Sequence, residues 1–212
     1  MNVPSLLRLE EHKALSHIEL SGRVLDLGGD MNSEYVCFFK GQFKTTTLNV
    51  DEKARPDILH DLEEPLPVKN DSYDHVLLIN VLEHIFAYRQ LLTEARRVLK
   101  PGGQLVIVVP FLFPVHPSPG DYHRFTTSAL RKELSIVGLQ DISVCVLGSG
   151  IFAARYVLLD RLLPKSLRLL NFYTCRYLAY ALDALAETFS RTSRKKYGKG
   201  DYALGYCAIA HK

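Results

Sequence analysis

Histidine exchanges a proton near neutral pH, and two segments of this chain set histidines beside other polar groups. Glu83-His84 follows the apolar run His75–Asn80. Farther on, Phe111–Thr126 reads FLFPVHPSPGDYHRFT and holds His116, Asp121, Tyr122, His123 and Arg124 among three prolines. Side chains of these types can draw a proton from a hydroxyl or amine. His116 or His123 is the candidate base of the second segment and His84 that of the first. Tyr122 and Arg124 are candidates to shape an acceptor pocket. The prolines would stiffen such a loop at low entropic cost. A plainer reading fits the same letters: Glu83-His84 can open a helix. The second segment can be a turn into a helix, capped by Thr126 or Thr127, with Arg124 paired to Asp121. His211 is expected to be exposed and to lie outside any site.

A second constellation points to a nucleoside. Val24-Leu25-Asp26-Leu27-Gly28-Gly29-Asp30 runs from apolar residues into an acid and two glycines, and Asp51 ends the next apolar-threaded run, Thr46–Val50. A glycine turn followed by an acid about 20 residues later is the nucleoside-binding pattern of a doubly wound sheet. The turn continues Asp30-Met31-Asn32-Ser33 and so lacks the Gly-x-Gly-x-x-Gly of a dinucleotide site, which argues against NAD or FAD.

The elements that must position these groups alternate. Residues 5–20 have helical spacing. Strands are expected at Arg23–Leu27, Lys44–Val50, Asp57–His60, His75–Asn80, Gln104–Val109, Ile142–Leu147 and Ala203–Ala210, and helices after Asn32 or Ser33, over Val81–Leu99 and over Thr127–Val137. Arg96, Arg97 and Lys100 before Pro101-Gly102-Gly103 suit a helix C-terminus. Such alternation predicts an α/β fold, a doubly wound, mostly parallel sheet with helices on both faces. The last run needs a partner, and the sheet edge is the expected place.

The ordered set VLDLGG (Val24–Gly29), Asn49-Val50-Asp51, Asp61-Leu62, DHVLLINVLEH (Asp74–His84) and ARRVLKPGGQLVIVVP (Ala95–Pro110) resembles the class I S-adenosylmethionine-dependent methyltransferases, in the broad group that includes small-molecule and glycan-modifying enzymes. The resemblance covers roughly residues 20–147, and it implies a Rossmann-like seven-stranded sheet with an antiparallel last strand. It further implies that Asp26, Gly28 and Gly29 shape the turn around the methionine part of S-adenosylmethionine. Asp51 would accept from the ribose hydroxyls, Asp61 from the adenine amino group with Leu62 beside it, and Asn80 would face the methionine end. The family pattern has glycine where Asp30 and Asn32 stand, residues that tolerate a left-handed backbone. A carboxylate at Asp30 is unfavourable near the cofactor's own carboxylate unless it points away or meets the cofactor's amino group. The Asp-Tyr-His-Arg-Phe-Thr segment is similar to one in methyltransferases encoded with glycan-building enzymes.

The expected reaction is methyl transfer to a small-molecule or glycan-like acceptor, including a lipid-linked one, at oxygen. Against it stands a non-catalytic protein that keeps the fold and the cofactor, for which Asp30 is the supporting feature. No metal site is expected.

The chain of 212 residues carries a net charge of +3, too mild to argue for nucleic acid. It reads as one domain: a leading helix over 1–20, a cofactor-binding core over 21–150, a helical insertion over 151–200 and a final strand over 201–212. The insertion is rich in Leu, Tyr, Phe and Ala. It contains an expected long helix Leu167–Phe189, followed by Arg191, Arg194, Lys195, Lys196 and Lys199. The insertion can pack on the sheet, form a dimer face, or lie on an anionic membrane. Few aromatics interleave with the basic run, which disfavours nucleic acid. Cys37, Cys145, Cys175 and Cys207 are expected as small buried hydrophobes of a reducing compartment. With no signal-peptide pattern and no long apolar run, the expected location is cytoplasmic, with a peripheral membrane contact open.

Overall fold

The structure, a computed structural model, describes residues 4–160, 162–190 and 199–212. Arg161 and the basic residues Arg191, Arg194, Lys195 and Lys196 lie outside them. Seven strands form one sheet: β1 Gly22–Leu27, β2 Phe43–Asn49, β3 Ile58–Leu59, β4 Tyr73–Ile79, β5 Leu99–Pro110, β6 Gln140–Ser149 and β7 Ala203–His211. The helices are α1 Leu6–Leu15, α2 Tyr88–Val98, α3 Thr127–Ile136, α4 Ile151–Asp160 and α5 Lys165–Ser190. The strand order is β3-β2-β1-β4-β5-β7-β6, with β1 to β5 parallel and β7 antiparallel to both its neighbours.

Alternate side chains of each strand go to opposite faces, so the central strands feed two cores. Leu25, Leu27, Val76, Leu78, Leu105, Ile107 and Ala208 meet α2 and α3 through Leu91, Leu92, Ala95, Leu130 and Leu134. Val24, Leu77, Ile79, Val106, Val108 and Cys207 meet α1, α4 and α5 through Leu6, Leu7, Leu15, Tyr156 and Ala179. Strands buried on both faces explain the near-continuous apolar runs.

The last strand is not at the edge. β7 lies between β5 and β6, and its Ala203, Leu204, Tyr206, Cys207, Ala208 and Ala210 are all buried. A run without alternation belongs inside a sheet, whereas β6 exposes Ser143, Cys145 and Val146 and takes the edge. The same exposure corrects the cysteine expectation: only Cys207 is buried, while Cys37, Cys145 and Cys175 are exposed.

The helix expected over Val81–Leu99 is shorter. A 3-10 turn, Leu82–His84, precedes it, Ile85 is extended, and α2 starts at Tyr88. Leu99 already pairs with Tyr73, and Pro101-Gly102-Gly103 forms a bulge before Gln104 pairs with His75. After β1 stands only a 3-10 turn, Glu34–Phe38, whose Ser33 makes no side-chain cap, since its hydroxyl accepts from the Asp30 amide at 2.8 Å.

Helices α4 and α5 occupy the insertion. The buried Asp183 of α5 accepts from the amides of Phe152 and Ala153 at 3.0 and 2.8 Å, capping the start of α4 from a neighbouring helix. Tyr180 donates to Glu10 of α1 at 2.6 Å and ties α5 to the body. Asp183→Ala leaves two helix amides without a partner. Such a loss costs about 1–3 kcal/mol, which a lowered urea midpoint at unchanged m-value checks.

Candidate functional site

A cavity of about 280 Å³ opens beyond the carboxyl ends of β1, β2 and β4, lined by Gly28, Asn49, Val50, Asp61, Leu62, Glu63, Asn80, Val81, His84, Ile85, Ser118, Pro119 and Tyr122. Small-molecule sites start at about 300 Å³. Crevices outside the carboxyl ends of parallel strands are where open α/β sheets bind ligands.

Gly28 has φ +83°, and a Cβ there would meet Val81 Cγ2 at 2.4 Å. Only glycine gives this turn together with that close approach. Asn49, which sequence reading passed over, pins the turn: its Nδ2 donates to Gly28 O at 2.9 Å and Gly29 O at 3.1 Å, while its Oδ1 accepts from the Asp51 amide at 3.0 Å. The available signal was an amide side chain two residues before the expected acid. Asp61 and Leu62 form part of the wall, and Asp61 Oδ1 accepts from the Glu63 amide at 2.9 Å. Asn80 has φ +55° and donates through Nδ2 to Glu11 Oε2 at 2.8 Å. Glu11, on α1, is buried, and that burial raises its pKa against the nearby Arg8. It too was missed, because it is 69 residues from its partner.

Three of the proposed cofactor residues are not on the wall. Asp51 is exposed next to Val50 and its Oδ1 accepts from the Lys53 amide at 2.9 Å. Asp26 is fully buried, and its carboxylate lies so close under Gly29 that a Cβ there would meet Asp26 Oδ2 at 2.2 Å. Gly29 itself therefore belongs to the turn's packing. Tyr35 donates its hydroxyl to the Asp26 carboxylate at 2.8–2.9 Å. Asp30 turns away from the cavity: Asp30, Ser33, Arg55 and Asp57 line a different depression, and Asp30 Oδ1 accepts from the Asn32 amide at 2.7 Å.

Burial pushes the Asp26 carboxyl up to about 7; the Tyr35 hydrogen bond opposes this and Asp30 adds to it. The native chain thus holds this proton until about pH 7, whereas the unfolded chain loses it near pH 4. Between these values the native state binds more protons, so this contribution to stability falls as pH rises and is gone above about pH 7. Asp26→Asn removes the dependence. Urea unfolding at pH 5 and pH 8 is expected to shift the variant-minus-wild-type difference by about 2–4 kcal/mol in the variant's favour at pH 8. An unchanged difference would contradict a neutral Asp26.

Of the three candidate bases, the structure brings two together. His84 lines the cavity, and its ring is 4.9 Å from that of His116, edge to face. Between them is Glu83, fully buried, with Oε1 3.6 Å from His84 Nε2 and 3.9 Å from His116 Nε2. Burial pushes the Glu83 carboxyl up to about 7. The Glu83 carbonyl accepts from the Tyr122 and His123 amides at 2.8 and 3.3 Å, which fastens the proline-bearing loop to the turn after β4.

His123 is elsewhere. It packs against Phe86, Tyr88 and Phe125, and its Nε2 is 3.4 Å from Phe86 O. Arg124 does not face the cavity either: its guanidinium takes both oxygens of Asp121 and donates to His123 O at 2.8 Å. That hydrogen bonding holds the Asp121 carboxyl well below the usual carboxylate range. The plainer reading is right for these two residues, with Thr126 capping α3 by accepting from the Ala129 amide at 3.1 Å. Tyr122 does line the cavity, half exposed against Phe86 at 5.5 Å.

A family model described as "Methyltransferase domain" matches residues 28–107, the glycine turn through β5. By that match this segment is a methyltransferase domain. In sequence, this domain is 39% identical over 88 residues to an uncharacterized protein of Methanocaldococcus jannaschii, covering 42% of this chain and 36% of that one. It is 35% identical over 71 residues to the demethylmenaquinone methyltransferase of Bacillus velezensis, covering 30% of each. The matched segments thus span about a third of these relatives' lengths. In structure, the chain is similar to an S-adenosylmethionine-dependent methyltransferase of Thermotoga maritima, with TM-score 0.60, 15% identity, and 98% and 91% of the two chains covered. The seven strands and the antiparallel β7 are those the family resemblance implied. The donor set of the cavity fits S-adenosylmethionine, the cofactor that the family resemblance implies: a glycine cradle that a Cβ would fill, a carboxylate and a leucine, and an amide and an imidazole.

Proposed function

We propose that this protein transfers a methyl group from S-adenosylmethionine to an oxygen of a small-molecule or glycan-like acceptor, including one carried on a lipid. The observation that carries the proposal is the cavity walled by Gly28 and Asp61 and opening on His84, which with His116 flanks the buried Glu83. Bound there, the cofactor supplies an electrophilic methyl group on a sulfonium. Asp61 and Leu62 would hold its adenine, and Asp51 would accept from its ribose hydroxyls. Gly28 and Asn80 would face its methionine end, with Asp26 and Gly29 shaping the turn behind them. Asn49 and Glu11 are positioning residues, the first holding the turn and the second holding Asn80.

The chain's own work is alignment, exclusion of water and preparation of the acceptor hydroxyl. The Glu83–His84–His116 cluster is suited to the last task, with His84 as the member that reaches the cavity. Exposed Phe86 and Tyr122 at the mouth offer an aromatic surface for the apolar face of a sugar ring. The lipid-linked part rests on α4, α5 and the turn between them, which expose Leu158, Leu159, Leu162, Leu167, Tyr173 and Tyr177 beside Arg155. Apolar and basic groups together suit an anionic membrane surface. Among the described residues no helix is long and apolar enough to cross a membrane.

The test is transfer of labelled methyl from S-adenosylmethionine to a panel of hydroxylated small molecules, sugars and lipid-linked sugars, with flotation on anionic vesicles alongside. Label appearing on an oxygen supports the reading. Label appearing only on nitrogen or carbon acceptors, or on none, would overturn it.

A further inference from the structure

The buried carboxylate of Glu83 poses a physical problem. It is fully buried, and neither Oε1 nor Oε2 has a hydrogen-bond partner. Buried polar atoms are nearly always paired, and leaving one unpaired is unfavourable. The two nearest side-chain nitrogens do not solve it. His84 Nδ1 is 2.5 Å from Gly120 O, and His116 Nδ1 is 3.0 Å from Pro114 O and 3.3 Å from Asp121 Oδ2. Those oxygens can only accept, so each Nδ1 carries the proton and donates it. A neutral imidazole has one such proton, so both Nε2 atoms present lone pairs. Three electron-pair donors therefore converge, Glu83 Oε1 at 3.6 Å and 3.9 Å from the two Nε2 atoms, with no positive group between them.

From this convergence we infer that Glu83, His84 and His116 form a binding site for a divalent transition-metal cation beside the cofactor cavity. The three residues each offer one donor atom within 4.8 Å of the others, and they are the group of this kind found among the described residues. Imidazole and carboxylate bind such a cation at about 2.0–2.2 Å, which sets tetrahedral donors about 3.3 Å apart. The observed spacing closes to that value with side-chain movements of under about 1 Å. Two imidazoles and one carboxylate select zinc, manganese, iron(II) or cobalt over magnesium or calcium, which prefer oxygen. The outer partners are those a metal-bound histidine uses: an Nδ1–H held by a backbone carbonyl on His84, and by a carbonyl and a carboxylate on His116. Asp121 is in turn fixed by Arg124, which gives the Arg124–Asp121 pair a purpose that acceptor binding does not need.

Three protein donors leave a coordination position open, as in catalytic rather than structural zinc sites. His84 lies on the cavity wall, so an acceptor hydroxyl bound at that position would become more acidic and release its proton to solvent water, leaving the alkoxide on the cation. This role rests on the methyl transfer proposed above; the cation site itself does not.

The experiment separates the two. The full chain is stripped with chelator and titrated with Zn2+ and with Co2+ by calorimetry and visible absorption, without S-adenosylmethionine or acceptor. The expected result is one cation per chain with Kd below about 10 µM, and cobalt bands of a four- or five-coordinate site. His116→Ala, a partly exposed position, and the isosteric Glu83→Gln should each weaken binding by at least about 100-fold, while His123→Ala should leave it unchanged. If Glu83→Gln does not fold, His116→Ala still decides the matter. Absence of binding at about 100 µM metal, or binding of equal strength in His116→Ala, would overturn the inference. The methyl-transfer reading is judged by its own assay whichever result is found.

Discussion

Alanine at His84 is expected to lower the turnover of methyl transfer by about 10²–10⁴-fold, the usual worth of a group that handles a proton in the transition state. His116→Ala should fall in the same range, although His116 does not line the cavity, because it shares Glu83 with His84. Residues that act as a unit are not additive, so the double variant should be about as slow as either single one. His123→Ala provides the contrast. Its ring packs on Phe86, Tyr88 and Phe125 and makes no contact with the cluster, so its turnover should stay within about threefold of wild type. Initial rates with labelled S-adenosylmethionine on the acceptor found in the panel, at saturating cofactor, measure all four. A slow His123→Ala beside a normal His84→Ala would reverse the assignment.

Gly28→Ala is expected to have the largest effect on cofactor binding. Two costs coincide there. A left-handed backbone at φ +83° is unfavourable for alanine by about 1–2 kcal/mol. The new Cβ also meets Val81 Cγ2 at 2.4 Å, and Val81 is itself buried in the core below. The turn must shift, taking with it the carbonyls that Asn49 holds. Affinity for S-adenosylmethionine should fall by at least about 100-fold, corresponding to about 2.7 kcal/mol. Adding Val81→Ala relieves the collision but not the backbone strain, so the double variant should recover part of the affinity and not all of it. Full recovery would mean that the left-handed conformation is not required.

The fold was legible because its signals are local. Glycine turns, apolar runs of strand length and the basic helix end before Pro101 each imply an element without reference to distant residues. What was misplaced depended on neighbours. The last strand was assigned to the edge although its small, unalternating residues suit a position between β5 and β6. The start of α2 was set too early, because residues 81–87 have helical spacing but form the turn that brings His84 to the cavity.

The site divides in the same way. Gly28, Asp61, Leu62 and Asn80, which the family resemblance assigned to the cofactor, line one cavity together with His84 and Tyr122. His123 and Arg124 share a segment with His116, and only the folded loop shows that one packs in an aromatic cluster and the other binds Asp121. Glu11 and the positioning role of Asn49 went unread because they act through hydrogen bonds to residues 69 and about 20 positions away. Asp30, which stood against cofactor binding, turns out to line a separate depression.

Titration of S-adenosylmethionine into the full chain, without acceptor or added metal, tests the central claim most directly. Calorimetry should show one site with Kd between about 1 and 100 µM, in the range of ordinary enzyme–substrate affinities, and the signal should be lost in Gly28→Ala. No saturable binding by the folded wild-type chain up to about 1 mM cofactor would contradict the account.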